Sequence, residues 1–169
     1  MRTLPRKRQK LFVYEGFGFP VALVNVPMVR IRGIWTPDIN YNKLALQVLQ
    51  VLAMKPARLT GAEIHFIRHA MRMTLEQFAH RLGVTHPAVI QWEQVRHRPT
   101  RMAWAIEKDI RLQVLKSQLA VPAARFAEAY QALSEIRQAK AMRVRVEPQT
   151  ARCVPSEPES DYSDAFSRG

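Results

Sequence analysis

Apolar residues recur along this chain with two different periods. From Leu11 to Trp35 the texture is strand-like: Leu11–Tyr14, a glycine-bearing turn over Glu15–Pro20, Val21–Val26, then Met28–Ile34, where Val29 and Ile31 alternate with Arg30 and Arg32. Such alternation gives a pleated strand one wet face and one dry face. The period then lengthens. Leu44, Val48, Val51 and Leu52 fall at helical spacing, which predicts a helix starting at Asp38 or Asn42 and running to about Met54, with Pro56 ending it. Ile64, Ile67 and Met71 mark the inner face of the next helix, opened by Thr60 and Glu63 as a capping box.

The densest pattern is Thr74–Glu93, TLEQFAHRLGVTHPAVIQWE. Thr74 and Gln77 have the spacing of a second capping box, and Leu75, Phe78, Ala79 and Leu82 form an apolar stripe. Gly83 suits the left-handed residue that ends a helix. Thr85 can cap the next helix, Pro87 falls in its first turn, and Val89 and Trp92 give it a buried side. Two short helices about a tight turn predict a helix-turn-helix. Beyond it lies the basic loop Arg96–Arg101. Thr100 is expected to cap a long helix to about Leu119 through Met102, Ile106, Ile110 and Val114. A last helix from Pro122 to about Ala141 carries Phe126, Tyr130, Leu133 and Ile136. These two stripes offer more apolar face than one small domain buries, which points to a homodimer held by residues 102–142.

On these residues the stretch resembles the DNA-binding domain of the XRE family, the lambdoid-repressor type. Gly83-Val84-Thr85, Val89 and Trp92-Glu93 stand where that family has its turn, its core residue and its helix-ending pair, and the likeness runs from Leu59 to about Thr100. The resemblance implies base contacts from His86, Pro87, Ala88 and Gln91, and phosphate contacts from Thr74, Gln77, Thr85, Arg96, Arg98, Thr100 and Arg101. Gln91 suits bidentate contact with adenine, His86 a guanine acceptor, and Pro87 or Ala88 a thymine methyl. Arg68 and Glu93 occupy places where the family often holds an ion pair. Leu75, Arg72 and Val95 depart from the family pattern, which often has Gln, Gly and Gly there. With the segment before it, the chain also resembles the MqsA family of bacterial antitoxins. That likeness implies a small N-terminal module ahead of the DNA-binding domain, a protein toxin as partner, and autorepression at a palindromic operator. The paired zinc cysteines of that family are missing, so the module would be zinc-less.

Charge supports a polyanionic partner. The formal net charge is +12, and residues 147–169 hold five acids and two bases, leaving 24 bases against 9 acids elsewhere. Residues 1–10 read as a disordered basic arm, or as an arm adding phosphate or minor-groove contacts; residues 143–169 read as a disordered tail. The single Cys153 excludes an internal disulfide. His65 and His69 have i, i+4 metal spacing but no further ligand nearby, so they read as a solvated pair; His80 reads as exposed and His97 as facing phosphate. No phosphate-cradling loop, nucleophile elbow or HExxH occurs. The expectation is therefore a mainly α, non-enzymatic, cofactor-free cytoplasmic protein associated with the nucleoid, without a membrane segment. It divides into the arm 1–10, a β-meander plus helix 11–56, the helix-turn-helix 57–101, dimerising helices 102–142 and the tail. Phe17 and Phe19 are expected to be exposed anchors for the toxin. The alternatives are a stand-alone XRE-type regulator and, from another class, an RNA-binding inhibitor or scaffold, which lacks the paired aromatics of an RNA-binding sheet.

Overall fold

The computed structural model describes residues 4–133 and 143–148. The chain opens with an antiparallel hairpin of β1 (Arg6–Tyr14) and β2 (Val21–Ile31), in register from Arg6 opposite Val29 to Tyr14 opposite Val21. β3 (Ile34–Pro37) returns antiparallel along the far end of β2, and β4 (Val144–Val146) lies parallel to its beginning at Val21–Leu23. β1 occupies one edge of β2, so β3 and β4 share the other.

Three sequence expectations change here. Residues 6–10 are not a free arm: they extend β1, because Val26, Pro27, Met28 and Val29 continue β2 far enough to pair them. The strands expected at Val21–Val26 and Met28–Ile34 are one strand, and the reversal falls at Arg32-Gly33. Both residues there have positive φ, 48° and 87°, as a two-residue hairpin with the natural strand twist requires. Phe17 and Phe19 are not exposed anchors. Phe19 is buried, and both rings pack on Phe66, with centroids 4.9 and 5.6 Å away. Burying two aromatic rings outweighs presenting them to water.

Helix α1 (Tyr41–Met54) starts later than expected. Asp38 still belongs to the sheet, its N–H donating to the Pro27 carbonyl at 2.7 Å, and Asn40 is the cap, accepting from the Asn42 and Lys43 amides at 3.0 and 3.1 Å. Then come α2 (Gly61–Ala70), α3 (Leu75–Leu82), α4 (His86–Gln94), α5 (Trp104–Gln113) and α6 (Ala123–Leu133). Thr100 does not cap α5: Ala103 holds that place, and Thr100 is buried with its N–H donating to the Leu59 carbonyl at 2.9 Å. Nor does α5 run unbroken to Leu119; a π-helical turn, Val114–Gln118, follows Gln113. The six α-helices of the described residues and the sheet make a mixed α/β chain, about half helical, rather than the mainly α one expected.

One apolar cluster links these elements. Leu23, Val26 and Met28 of β2 meet Leu44, Val48 and Leu52 of α1, and the same cluster continues through Ile64 and Ile67 of α2, Phe78, Val89 and Ile110. The core therefore crosses the boundary expected at residues 56–57 without a break. The expected helix beyond Leu133 to Ala141, with Ile136, and the tail from Gln149 lie outside the described residues.

Candidate nucleic-acid interface

Both helices of the Thr74–Glu93 stretch form where their local chemistry dictates. The Thr74 hydroxyl accepts from the Gln77 amide at 3.2 Å, and the Gln77 side chain accepts from the Thr74 amide at 2.9 Å, closing the capping box of α3. Gly83 ends α3 with φ of 66°. Thr85 begins α4 in an extended conformation, but its side chain makes no cap bond, so its exposed hydroxyl is available to a ligand. Only Val89 of α4 is fully buried, while His86, Pro87 and Gln91 face solvent and Ala88 is half-buried. The first amides of α4 have no helical acceptors, and their dipoles favour an anion.

Three contacts set where α4 points. Arg68 of α2 makes a two-pronged bond to Glu93, Nε to Oε1 at 2.6 Å and Nη2 to Oε2 at 3.0 Å, and its Nη1 donates to the Met73 carbonyl at 2.9 Å. His65 Nδ1 lies 2.8 Å from Glu93 Oε2. Burial alone would raise the Glu93 carboxyl, but the bonds from Arg68 and His65 outweigh it and hold its pKa below the ordinary carboxylate value. The third contact is steric. Gly61 opens α2 directly against the end of α4, where a methyl group would stand 2.8 Å from the Arg96 amide nitrogen and 2.9 Å from the Glu93 carbonyl oxygen. The Ala62 amide donates to the Arg96 carbonyl at 2.8 Å, fastening the loop after α4 to the start of α2.

A buried ionic network, not foreseen from the sequence, fixes this platform to α1. Lys55 and Glu63 pair at 2.7 Å with both side chains nearly inaccessible. Glu107 receives Arg58 Nε at 2.6 Å, Arg111 Nη2 at 2.7 Å and the Leu59 amide at 3.0 Å. Arg111, fully buried, also donates to the carbonyls of Lys55 and Ala57 just past the end of α1. Burial lowers its pKa, and Glu107 works against that shift. In sequence Glu107 and Arg111 are an i, i+4 pair, which usually marks a solvated helix face; only their interleaving with Ile106 and Ile110 hinted otherwise.

Arg96, Arg98 and Arg101 are exposed, and a cleft of about 920 Å³ beside α4 is lined by Gln91, Trp92, Arg58, Arg98 and Arg101. Arg96 adopts a positive φ of 51° and Arg72 one of 55°, backbone states that glycine adopts without strain. Thr100 is the one candidate contact that the fold removes, since its hydroxyl is buried and makes no hydrogen bond among the described residues. His65 and His69 stack with ring centroids 4.3 Å apart. Burial, with the charges of His65 and Arg68, lowers the pKa of His69. No group of three or more His, Cys, Asp or Glu suited to a metal occurs among the described residues. No helix among them is long and apolar enough to cross a membrane. Comparison of the chain with protein-family models, curated proteins and solved structures finds no match.

Proposed function

We propose that this chain is a sequence-specific DNA-binding repressor of the XRE type. The observation that carries the reading is α4: a helix anchored from behind by Val89, the Arg68–Glu93 pair and the Gly61 contact, with His86, Pro87 and Gln91 left facing solvent. A groove-reading helix needs that division between a fixed back and a polar front. Arg96, Arg98 and Arg101 then hold phosphates and set register, while Gln91 and His86 read base edges. Thr100 drops out of the contact set. Leu75, at a place where the family often has a glutamine, is half-buried and borders the same depression as Ile90, Gln94 and Arg96. It contributes packing there.

The protein acts as a cytoplasmic, non-enzymatic homodimer on a palindromic operator, as the antitoxin of a two-gene module that neutralises a protein toxin and represses its own promoter. The C-terminal helices supply the dimer contact: a groove between α1 and α6 is lined by Met54, Leu115, Val121 and Ala129, and Tyr130 is exposed beside it. A second reading, a stand-alone regulator without a toxin, is favoured by one observation. The aromatic anchors expected to meet a toxin, Phe17 and Phe19, are packed on Phe66. Selection of binding sites from random-sequence duplexes by the full-length protein tests the common core of both readings. The expected product is an inverted repeat with half-sites about one helical turn apart, roughly 34 Å, or a multiple of it. Recovery of no preferred sequence sinks the repressor.

A further inference from the structure

The sheet has two unlike ends. At one, the Glu15–Pro20 turn is pinned to α2 through Phe17 and Phe19. The other lies roughly 25 Å away along β1, at about 3.3 Å per residue. There Arg6, Lys7, Arg8, Lys10, Arg30 and Arg32 are all exposed, and the one acid nearby is Asp38, 3.0 Å from Arg6. The β2–β3 hairpin that forms this end is stiff: Arg30 Nε donates to the Gly33 carbonyl at 3.2 Å, and Lys7 Nζ sits 4.5 Å from the centre of the Trp35 ring. Its tip exposes apolar side chains, Ile31 at 46% and Ile34 at 70%, with Leu4 at 53% on the neighbouring segment.

We propose that this basic hairpin end is a second, sequence-independent duplex-DNA contact, with the cations on phosphates and the Ile31–Ile34 tip against the groove. The inference deepens the repressor reading and rests on it for the choice of DNA as partner. Neighbouring residues of a strand point to opposite faces, so Arg6 and Arg8 project from one side of the ribbon and Lys7 from the other. A groove presents phosphates on both sides of an inserted ribbon, whereas a membrane surface meets one face only. Small apolar wedges at the end of a basic element are also what unstacking contacts between base steps use. The grip is separate from α4 because it involves no residue of the helical segments, and it carries no sequence information because phosphates carry none.

Binding of a random-sequence duplex of about 40 base pairs, measured against salt, reads this surface directly. Arg8→Gln/Lys10→Gln/Arg32→Gln in the full chain should weaken binding about tenfold or more and reduce the log–log salt slope by two to three, at about 0.9 per phosphate released. Ile34→Asp, which places an anion at the tip, should weaken the same duplex without the same loss of slope. His86→Ala/Gln91→Ala should leave random-duplex affinity near wild type while abolishing operator preference. Loss of a preferred operator would therefore count against the repressor reading alone. Unchanged affinity and slope in the triple variant, with its melting temperature intact, would overturn the proposal. So would an unchanged duplex affinity together with lost binding to vesicles rich in phosphatidylserine, which would give the surface to a membrane.

Discussion

Removing the carboxylate of Glu107 should come close to unfolding the protein. Its two oxygens take three donors: Arg58 Nε, Arg111 Nη2 and the Leu59 amide. Glu107 and Arg111 are both fully buried, so water cannot replace what is lost. Breaking a buried pair by deleting one partner costs about 3–5 kcal/mol, and the stranded Leu59 amide adds about 1–3 kcal/mol. A domain of ordinary stability has about 5–15 kcal/mol in all. Glu107→Ala should therefore lower the urea midpoint by a third or more of its value. Glu107→Leu/Arg111→Met should recover part of that loss, because it removes both desolvated charges and leaves an apolar contact. A double-mutant cycle read by far-UV circular dichroism in urea measures the coupling, with at least about 1.5 kcal/mol expected for contacting residues. A Glu107→Ala protein within about 1 kcal/mol of wild type, or additive single effects, would refute the network as drawn. The same reasoning bears on truncation. A fragment beginning at Leu59 loses Lys55 and Arg58, leaving Glu63 and Arg111 without their partners, so it should not fold.

Two further perturbations separate the aiming of α4 from its chemistry. Glu93 is more acidic in the folded chain than in the unfolded one, so its contribution is complete above the unfolded carboxylate pKa of about 4.3 and is lost as pH falls through the folded value. Arg68→Met removes the largest lowering influence; it should move the acid-unfolding midpoint to higher pH and cost about 2–3 kcal/mol at pH 7, and an unshifted acid limb in a pH–stability series would contradict this. Gly61→Ala should push α2 and α4 apart, costing about 1–3 kcal/mol in thermal melts and weakening operator binding more than random-duplex binding, whereas a variant with wild-type stability and operator affinity would show that the close approach is not needed.

What the sequence disclosed was local. Both capping boxes, the Gly83 stop and the inward faces of α1 and α2 follow from residue type and spacing, and they stand where the pattern put them. The Arg68–Glu93 pair came from resemblance alone, and its geometry in the fold agrees. What stayed hidden depends on contacts distant in the chain. Arg6–Lys10 read as an arm because no local signal reveals that β2 runs on through Pro27 to receive them. β4 is three residues long and pairs with a strand more than a hundred positions earlier. Phe17 and Phe19 look like anchors until Phe66 is known to lie beneath them. Thr100 has the composition of a cap, yet a bond to the Leu59 carbonyl draws it inside.

The claim that α4 reads bases is tested most directly by gel shifts of Gln91→Ala and Arg98→Ala on the selected operator and all its single-base variants. Gln91→Ala should lose about 1–3 kcal/mol on the operator and lose discrimination at one base-pair position, while Arg98→Ala should weaken every sequence alike and reduce the salt slope by about one. Equal losses on every duplex for Gln91→Ala would remove the base contact, and with it the assignment of α4 as the helix that confers specificity.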